Sequence, residues 1–374
     1  MSQDSDAGYG VAEIRDSQRT AAPDLPYRPA VPKSSCPPIG VIGCGGISEQ
    51  HLGAYRAAGF NVIALCDIDR ARAEQRQGQF FPNATTYTEH RALLERDDIA
   101  VVDITTHPAD RVPILHDALE AGKHVLSQKP FVLDLDLGEK LVALADRKGV
   151  KLAVNMNGRW APHFAYMRQA IGQGLIGQVV GAHLSVHWNH NWIAGTDLEN
   201  VKHIVLFDFG IHWFDIVTCF LGNRSARRVY ASTARSAAQQ IRPALLGQAV
   251  IEYDGAQASL AFDADAKFGP QDRTYIAGTT GTLVSVGPDL QDQQVTLYTS
   301  DGHASPPLEG KWFPTGFHGT MAELLCAIEE NREPSNSARD NLRSLALCYA
   351  AVASAERNEP VVPGTVRRLP GVSD

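Results

Sequence analysis

This chain of 374 residues lacks three things: a Cys-x-x-Cys pair, an apolar run long enough to cross a bilayer, and a cluster of basic residues. Each absence closes a class. Its six cysteines (Cys36, Cys44, Cys66, Cys219, Cys326 and Cys348) are scattered, so neither a disulfide framework nor a thiolate zinc site is expected. Cys66 and Cys348 lie in apolar runs and read as buried reduced thiols. Without a long apolar run no membrane span is expected. The N-terminus has no charged start followed by an apolar core, so no export signal is expected and the reading is cytoplasmic. With 34 basic against 42 acidic residues, the net charge of −8 argues against nucleic acid or an anionic membrane as partner. What is present is an ordinary globular composition, 44% hydrophobic, with length for two domains.

The most telling stretch is Ile39 to Ser48, Ile-Gly-Val-Ile-Gly-Cys-Gly-Gly-Ile-Ser. An apolar run ends in Gly43-Cys44-Gly45-Gly46-Ile47-Ser48, an amphipathic segment follows, and Asp67 with Ile68 closes a second apolar run. This is the layout of strand, tight glycine turn, helix and second strand that holds a dinucleotide. Gly43 suits the turn, Gly45 lets backbone approach a pyrophosphate, and free amides at the helix start face its charge. Ser48 stands at the third small position. Asp67 can accept from the adenosine ribose hydroxyls and repels a 2′-phosphate, which favours NAD over NADP; Arg70 and Arg72 could soften that preference. The alternative is a plain strand–turn–helix.

Residues 1–36 are rich in Ser, Asp, Ala and Pro and read as an extended or disordered arm, on the surface or on a neighbouring subunit. A Rossmann domain is expected over 37–157, with strands at 39–42, 61–66, 100–105, 123–127 and 151–155. Helices are expected at 47–58, 69–80, 88–96, 109–121 and 134–149. Residues 158–374 read as an α+β domain for substrate and oligomer contacts, built on a mainly antiparallel open sheet. Strands are expected at 178–188, 247–263 around an Asp254-Gly255 turn, 272–286 and 293–299, and helices at 207–221, 317–331 and 341–357.

Three further segments carry chemistry. Lys129 in Gln128-Lys129-Pro130 stands just past a predicted parallel strand, where open α/β sheets bind ligands; a solvated lysine is the plainer reading. Asp208, His212 and Asp215 are spaced four and three apart, one face of a helix. A carboxylate one turn from an imidazole suits a general base; an N-cap with an interface histidine, or a metal site from the trio, are the alternatives. Trp188-Asn189-His190-Asn191-Trp192 sets rings beside amides, suited to a sugar's apolar faces and polar rim. Strand alternation puts His183 and His187 on one face, Trp188 and His190 on the other, and one face could be a subunit interface. Asn191 and Trp192 are candidate substrate contacts, as is His318 in Gly316-Phe-His-Gly319.

Together with Asn155-Met-Asn157-Gly-Arg159-Trp160, these motifs follow one another in an order that resembles the Gfo/Idh/MocA oxidoreductases, which include glucose–fructose oxidoreductase and inositol dehydrogenases; the likeness spans roughly 39–360. The resemblance implies NAD-dependent oxidation or reduction of a carbohydrate or cyclitol hydroxyl, and homo-oligomer contacts (a dimer or tetramer) through the second sheet. By position, Lys129 matches the lysine of a Glu-Lys-Pro motif, with Asp208 and His212 as partners. Gln128 replaces the more usual Glu, and Thr105-Thr106-His107-Pro108 a Thr-Pro-Pro turn, with Arg111 where His is frequent. Thr105, Thr106, His107, Gln128, Lys129, Asn157, Arg159 and Trp160 are then expected near the cofactor; for the last three a hinge role is the alternative, and for His107 and Arg111 a loop contact. No resident metal is expected. In the implied chemistry His212 takes the hydroxyl proton, Lys129 stabilises the oxygen and Asp208 orients the imidazole or holds a neighbouring hydroxyl. Glycoside cleavage through transient sugar oxidation, or a non-catalytic NAD-sensing role, are the competing readings.

Overall fold

The structure is a computed structural model that describes residues 17–34, 36–237 and 239–370; the first 16 positions of the expected arm lie outside the described residues. The chain opens with a six-stranded sheet in the order β3-β2-β1-β4-β5-β6. Its strands are β1 (Ile39–Ile42), β2 (Val62–Cys66), β3 (Thr85–Tyr87), β4 (Val101–Ile104), β5 (His124–Ser127) and β6 (Leu152–Val154), all paired in parallel. Five helices alternate with them: α1 (Ser48–Ala58), α2 (Arg70–Phe80), α3 (His90–Leu94), α4 (Pro108–Glu120) and α5 (Leu135–Lys148). Every residue of β1 and β4 is buried, because helices cover both faces of a parallel sheet. Caps mark the helix ends: Asp134 accepts from the amides of Asp136 and Leu137, and Gly149 closes α5 in the left-handed region. Strand β3, too short and polar to stand out in the sequence, is the addition to the expected elements.

After α6 (Pro162–Gly172) comes an eight-stranded sheet in the order β14-β13-β12-β11-β7-β10-β9-β8. It contains β7 (Val179–His187), β8 (Arg228–Ala234), β9 (Leu246–Tyr253), β10 (Ala256–Asp263), β11 (Gln271–Gly278), β12 (Gly281–Gly287), β13 (Gln294–Thr299) and β14 (Gly302–Ala304). Only β7 with β10 runs parallel. The expected single stretch 272–286 is two strands, and α6 and β8 went unforeseen. The 207–221 helix also divides: a π-helical turn, Val205–Phe209, precedes α7 (Ile211–Leu221).

Two late helices, α8 (Trp312–Glu329) and α9 (Ala338–Arg357), close the chain. Helix α8 returns to the first sheet, where Phe317, Met321, Leu324 and Leu325 share a core with Ile39, Val41, Leu52 and Leu126. The nucleotide-binding half is therefore completed by Phe317 to Leu325, 163 to 171 positions beyond the end of its own last strand at Val154. The described part of the arm lies along its own chain: Thr20 N–H donates to His303 O, Pro23 O accepts from Tyr166, and Leu25 and Tyr27 are buried.

Candidate active site

The C-terminal ends of β1, β2, β4 and β5 form one edge of the first sheet, and the sheet order reverses between β1 and β4. A crevice opens outside the strands at such a point. Gly43 leaves β1 with φ of +100°, and a Cβ there would stand 2.9 Å from Thr105 Oγ1 and the Thr106 amide. Only glycine fits. At Gly45 and Gly46 a Cβ would meet nothing within 4 Å, so the turn leaves an open cradle. No side chain caps the N-terminus of α1; the Glu49 and Gln50 amides bond back to Gly46 O at 3.3 Å and Ile47 O at 3.0 Å, and the start of the helix adjoins that cradle. Ser48 Oγ donates to Gly45 O at 2.6 Å, which ties the helix start to the turn.

Asp67 follows β2. Its Oδ2 accepts from the Cys44 amide at 2.7 Å and its Oδ1 from the Asp69 amide at 2.9 Å, so the carboxylate is fixed with lone pairs to spare. Ile68 beside it is 93% exposed, an apolar side chain at the rim of the cradle. This open cradle, uncapped helix and fixed carboxylate fit NAD.

Beyond β4, Thr105 Oγ1 donates to Gly43 O at 2.6 Å. His107 caps α4 through Nδ1. Arg111, fully buried, donates to the carbonyls of Thr106, Gln128 and Pro130, clamping the β4 and β5 loops together; the loop-contact reading therefore holds for it. Burial lowers its pKa to about 9.

Gln128 is turned inward. Its Oε1 accepts from the Lys129 amide at 2.6 Å and from Asn155 Nδ2 at 3.1 Å. Its Nε2 lies 3.4 Å from His51 Nε2, and His51 Nδ1 lies 2.7 Å from Asp103 Oδ2. With Asp103 accepting from Nδ1–H, His51 Nε2 must be an acceptor, and Asn155 Nδ2 also points to it at 3.0 Å. An amide can donate there and a carboxylate cannot. The Gln in place of Glu is thus matched to a buried histidine, a partner that no local signal announced.

Lys129, joined to Pro130 by a cis peptide, reaches from the end of β5 to the π-helical turn. Its Nζ donates to Asp208 O at 2.9 Å and to Asp208 Oδ1 at 3.1 Å. Burial pushes the Asp208 carboxyl up, but the lysine's charge and hydrogen bond outweigh it and hold the group below the usual carboxylate range. His212, one turn on, stands edge-to-face on Trp312 with centroids 5.7 Å apart. Burial first and Lys129 second lower its pKa to about 3, against a pull upward from Asp208, so the imidazole is neutral. Its Nδ1 is buried without a partner among the described residues.

Asp215 does not join them. Arg159 takes it, with Nε to Oδ2 at 2.6 Å and Nη2 to Oδ1 at 2.5 Å, and Arg159 Nη2 also reaches Asp340 at 2.8 Å. A guanidinium so engaged is a clamp between α7, α9 and the turn Asn157–Trp160, and the hinge reading fits it better than a cofactor contact. Asn157 Oδ1 accepts from Trp312 Nε1 at 3.0 Å, and Trp160 packs flush on α8, where a Cβ at Gly319 would stand 2.1 Å from its ring.

His318 corrects an expectation. Its ring packs edge-on against Phe60 at 5.4 Å, at the edge of the sheet where β2 begins, opposite the glycine turn. It is remote from the crevice because α8 presents that face to the first sheet. Asn191 Nδ2 is taken by Asn189 and by Asp265, the latter at 2.8 Å, whereas Trp192 is 61% exposed. His183 and His187 lie on the outer face with Ser259 and Asp263 as partners, and Trp188 lies inside, stacked on Phe209 at 4.0 Å. Among the described residues no group of three or more His, Cys, Asp or Glu could hold a metal ion. No helix among them is long and apolar enough to cross a membrane.

Comparison with known proteins gives the family and the fold. Residues 38–156 match the oxidoreductase family with an NAD-binding Rossmann fold, and 164–284 match the GFO/IDH/MocA C-terminal domain. Among similar proteins are a D-apiose dehydrogenase of Paraburkholderia graminis, 29% identical over 86% of this chain and 88% of that protein, and an inositol 2-dehydrogenase of Rhizobium meliloti, 26% identical over 86% and 98%. An oxidoreductase from Agrobacterium radiobacter, solved with NAD+, L-tartaric acid and magnesium, shares the fold with a TM-score of 0.78 at 22% identity, covering 87% of this chain and 98% of that one. The chain belongs to the Gfo/Idh/MocA family of NAD-binding oxidoreductases.

Proposed function

We propose that the protein is a dehydrogenase that oxidises a hydroxyl of a sugar or cyclitol, with Lys129, Asp208 and His212 as its working groups. One observation carries the reading: an ammonium from the end of β5 and a carboxylate from the turn before α7 meet at 3.1 Å beside a neutral imidazole, at the strand edge that holds the dinucleotide cradle. NAD, when bound, supplies the hydride acceptor. The chain's part is to hold the substrate and move a proton. Lys129 Nζ donates to the substrate oxygen and stabilises its developing negative charge, a contribution of roughly 3 kcal/mol in a water-excluded site. Neutral His212 accepts the hydroxyl proton, and Asp208 holds the lysine and favours the imidazolium that results.

Names of similar proteins, D-apiose and inositol dehydrogenases, support a polyol substrate. Lys129→Ala and His212→Ala should each lower turnover of NAD with such polyols by about 100-fold or more while leaving NAD affinity unchanged. Near-normal turnover in both would end the assignment. A second reading, glycoside cleavage through transient oxidation, has one observation in its favour. A cavity of about 350 Å³ beside Lys129 and Asp208 is walled by Leu133, Leu198, Val201, Phe207 and Leu369, apolar room that a bare polyol does not need. Sugar release without net change in nicotinamide absorbance would select it.

The outer face of the second sheet exposes Val180, Tyr230, Val250, Tyr275, Val286 and Tyr298, an apolar surface that supports a homo-oligomer formed through that face. A monomer by sedimentation would refute it. All six cysteines are free, which supports a reducing, cytoplasmic setting.

A further inference from the structure

We propose that His190 is a further substrate-binding residue of the Lys129–Asp208 cleft, its Nε2–H donating a hydrogen bond to an oxygen of the substrate. This inference rests on the polyol reading above.

The argument begins with two indoles. Trp188 Nε1 lies 2.9 Å and Trp192 Nε1 3.2 Å from the same atom, His190 Nδ1. An indole N–H can only donate, so Nδ1 must present its lone pair to both. A neutral ring must then carry its proton on Nε2. An imidazolium is excluded on the same ground, since it would set one N–H against two others. Both the tautomer and the charge are thus set by geometry, and burial, which lowers the group's pKa to about 4, acts in the same direction.

The proton so placed has no partner. His190 is 5% exposed, and its Nε2 makes no hydrogen bond among the described residues. A buried donor left unpaired in a folded protein calls for an occupant. Its position says which. Phe209, the neighbour of Asp208, stacks on Trp188 at 4.0 Å and meets the His190 ring edge-on at 5.5 Å. The ring is close enough for the charges of Asp208 and Lys129 to act on it. The segment is also held before any ligand arrives: the His190 amide donates to Ala264 O at 2.8 Å, and Asn191 is tied to Asp265.

The cleft therefore offers complementary groups. Asp208 accepts from a hydroxyl, Lys129 donates with a charge, and His190 donates without one. A donor that cannot titrate in the neutral range recognises an oxygen lone pair, on a hydroxyl or a ring ether, which suits a polyhydroxylated ligand.

The test uses full-length protein labelled with ¹⁵N-histidine, saturated with NAD, and the probes myo-inositol and D-apiose. Long-range proton–nitrogen spectra should show one histidine, assigned by its loss in His190→Gln, bare at Nδ1 and protonated at Nε2 throughout the neutral range. Adding the polyol that is oxidised should shift that Nε2. His190→Phe should raise KM for this polyol about ten-fold with kcat and NAD affinity little changed. His190→Gln, whose amide can accept from the indoles and donate to the ligand, should recover most of the loss. A proton found on Nδ1 overturns the proposal, as does an Nε2 signal unmoved by an oxidised polyol together with an unchanged KM in His190→Phe. Wild-type protein that reduces NAD with no polyol, yet shows the Nε2 shift on polyol binding, sinks the dehydrogenase reading and leaves the role of His190 standing.

Discussion

Replacing Arg159 by alanine separates a structural clamp from a cofactor contact, and the structure supplies its magnitude. The Arg159 side chain is 2% exposed and that of Asp215 is 1% exposed. The guanidinium supplies two hydrogen bonds to Asp215, and without it the carboxylate keeps, among the described residues, only Ser344 Oγ at 2.8 Å. A buried charge stripped of its counter-ion costs about 3–5 kcal/mol. Asp340 is partly exposed, so water can replace the arginine there at small cost. Urea unfolding followed by tryptophan fluorescence should therefore show Arg159→Ala losing about 3–5 kcal/mol, and Asp215→Ala a similar amount. The double variant Arg159→Met/Asp215→Leu should lose clearly less than the sum, because neither charge is then stranded. NAD affinity of whatever folds should stay near that of the parent protein. An Arg159→Ala protein as stable as the parent, but with NAD binding lost, would refute the clamp and restore the cofactor contact.

Two other perturbations probe different parts of the molecule. Asp67→Ser removes the carboxylate at the end of β2; NAD affinity should fall roughly ten- to a hundred-fold, and the preference for NAD over NADP should narrow, by titration of both nucleotides. A selectivity ratio that does not move would show that Asp67 is no ribose contact. Asp272 faces inward on β11 with both oxygens unpartnered, and burial, aided by Asp289, raises its pKa to about 8. A carboxyl whose folded pKa lies above its unfolded value loses stability as pH rises from about 4 to 8, at roughly 1.4 kcal/mol per unit. Asp272→Asn should match the parent near pH 4 and exceed it progressively up to pH 8, whereas parallel stability curves would contradict a buried neutral acid.

Much of the first half could be read from the chain because its signals are local. Buried parallel strands appear as short apolar runs, Gly43 and Gly149 mark turns that need positive φ, and Asp67 follows its strand directly. Strand β3 escaped because three polar residues at a sheet edge make no apolar run, and β8 because its alternation is diluted by small residues. In the site, Lys129, Asp208 and His212 were legible as types at telling spacings. Asp215 shared that spacing but pairs with an arginine 56 positions earlier, and spacing cannot report a distant partner. His190 was visible only as part of an unusual run, since the indoles that fix its tautomer converge only once the strand end folds back.

By itself the sequence determined most strands and helices of the first half and where the nucleotide cradle lies, because hydrophobic period, glycine and caps act within a few residues. Only the tertiary structure decided that Gln128 answers a buried His51, that α8 completes the first domain's core and carries His318 away from the crevice, and that an ammonium from one half meets a carboxylate from the other. Those outcomes depend on which side chains are desolvated together, and desolvation is a property of the packed chain rather than of any stretch of it.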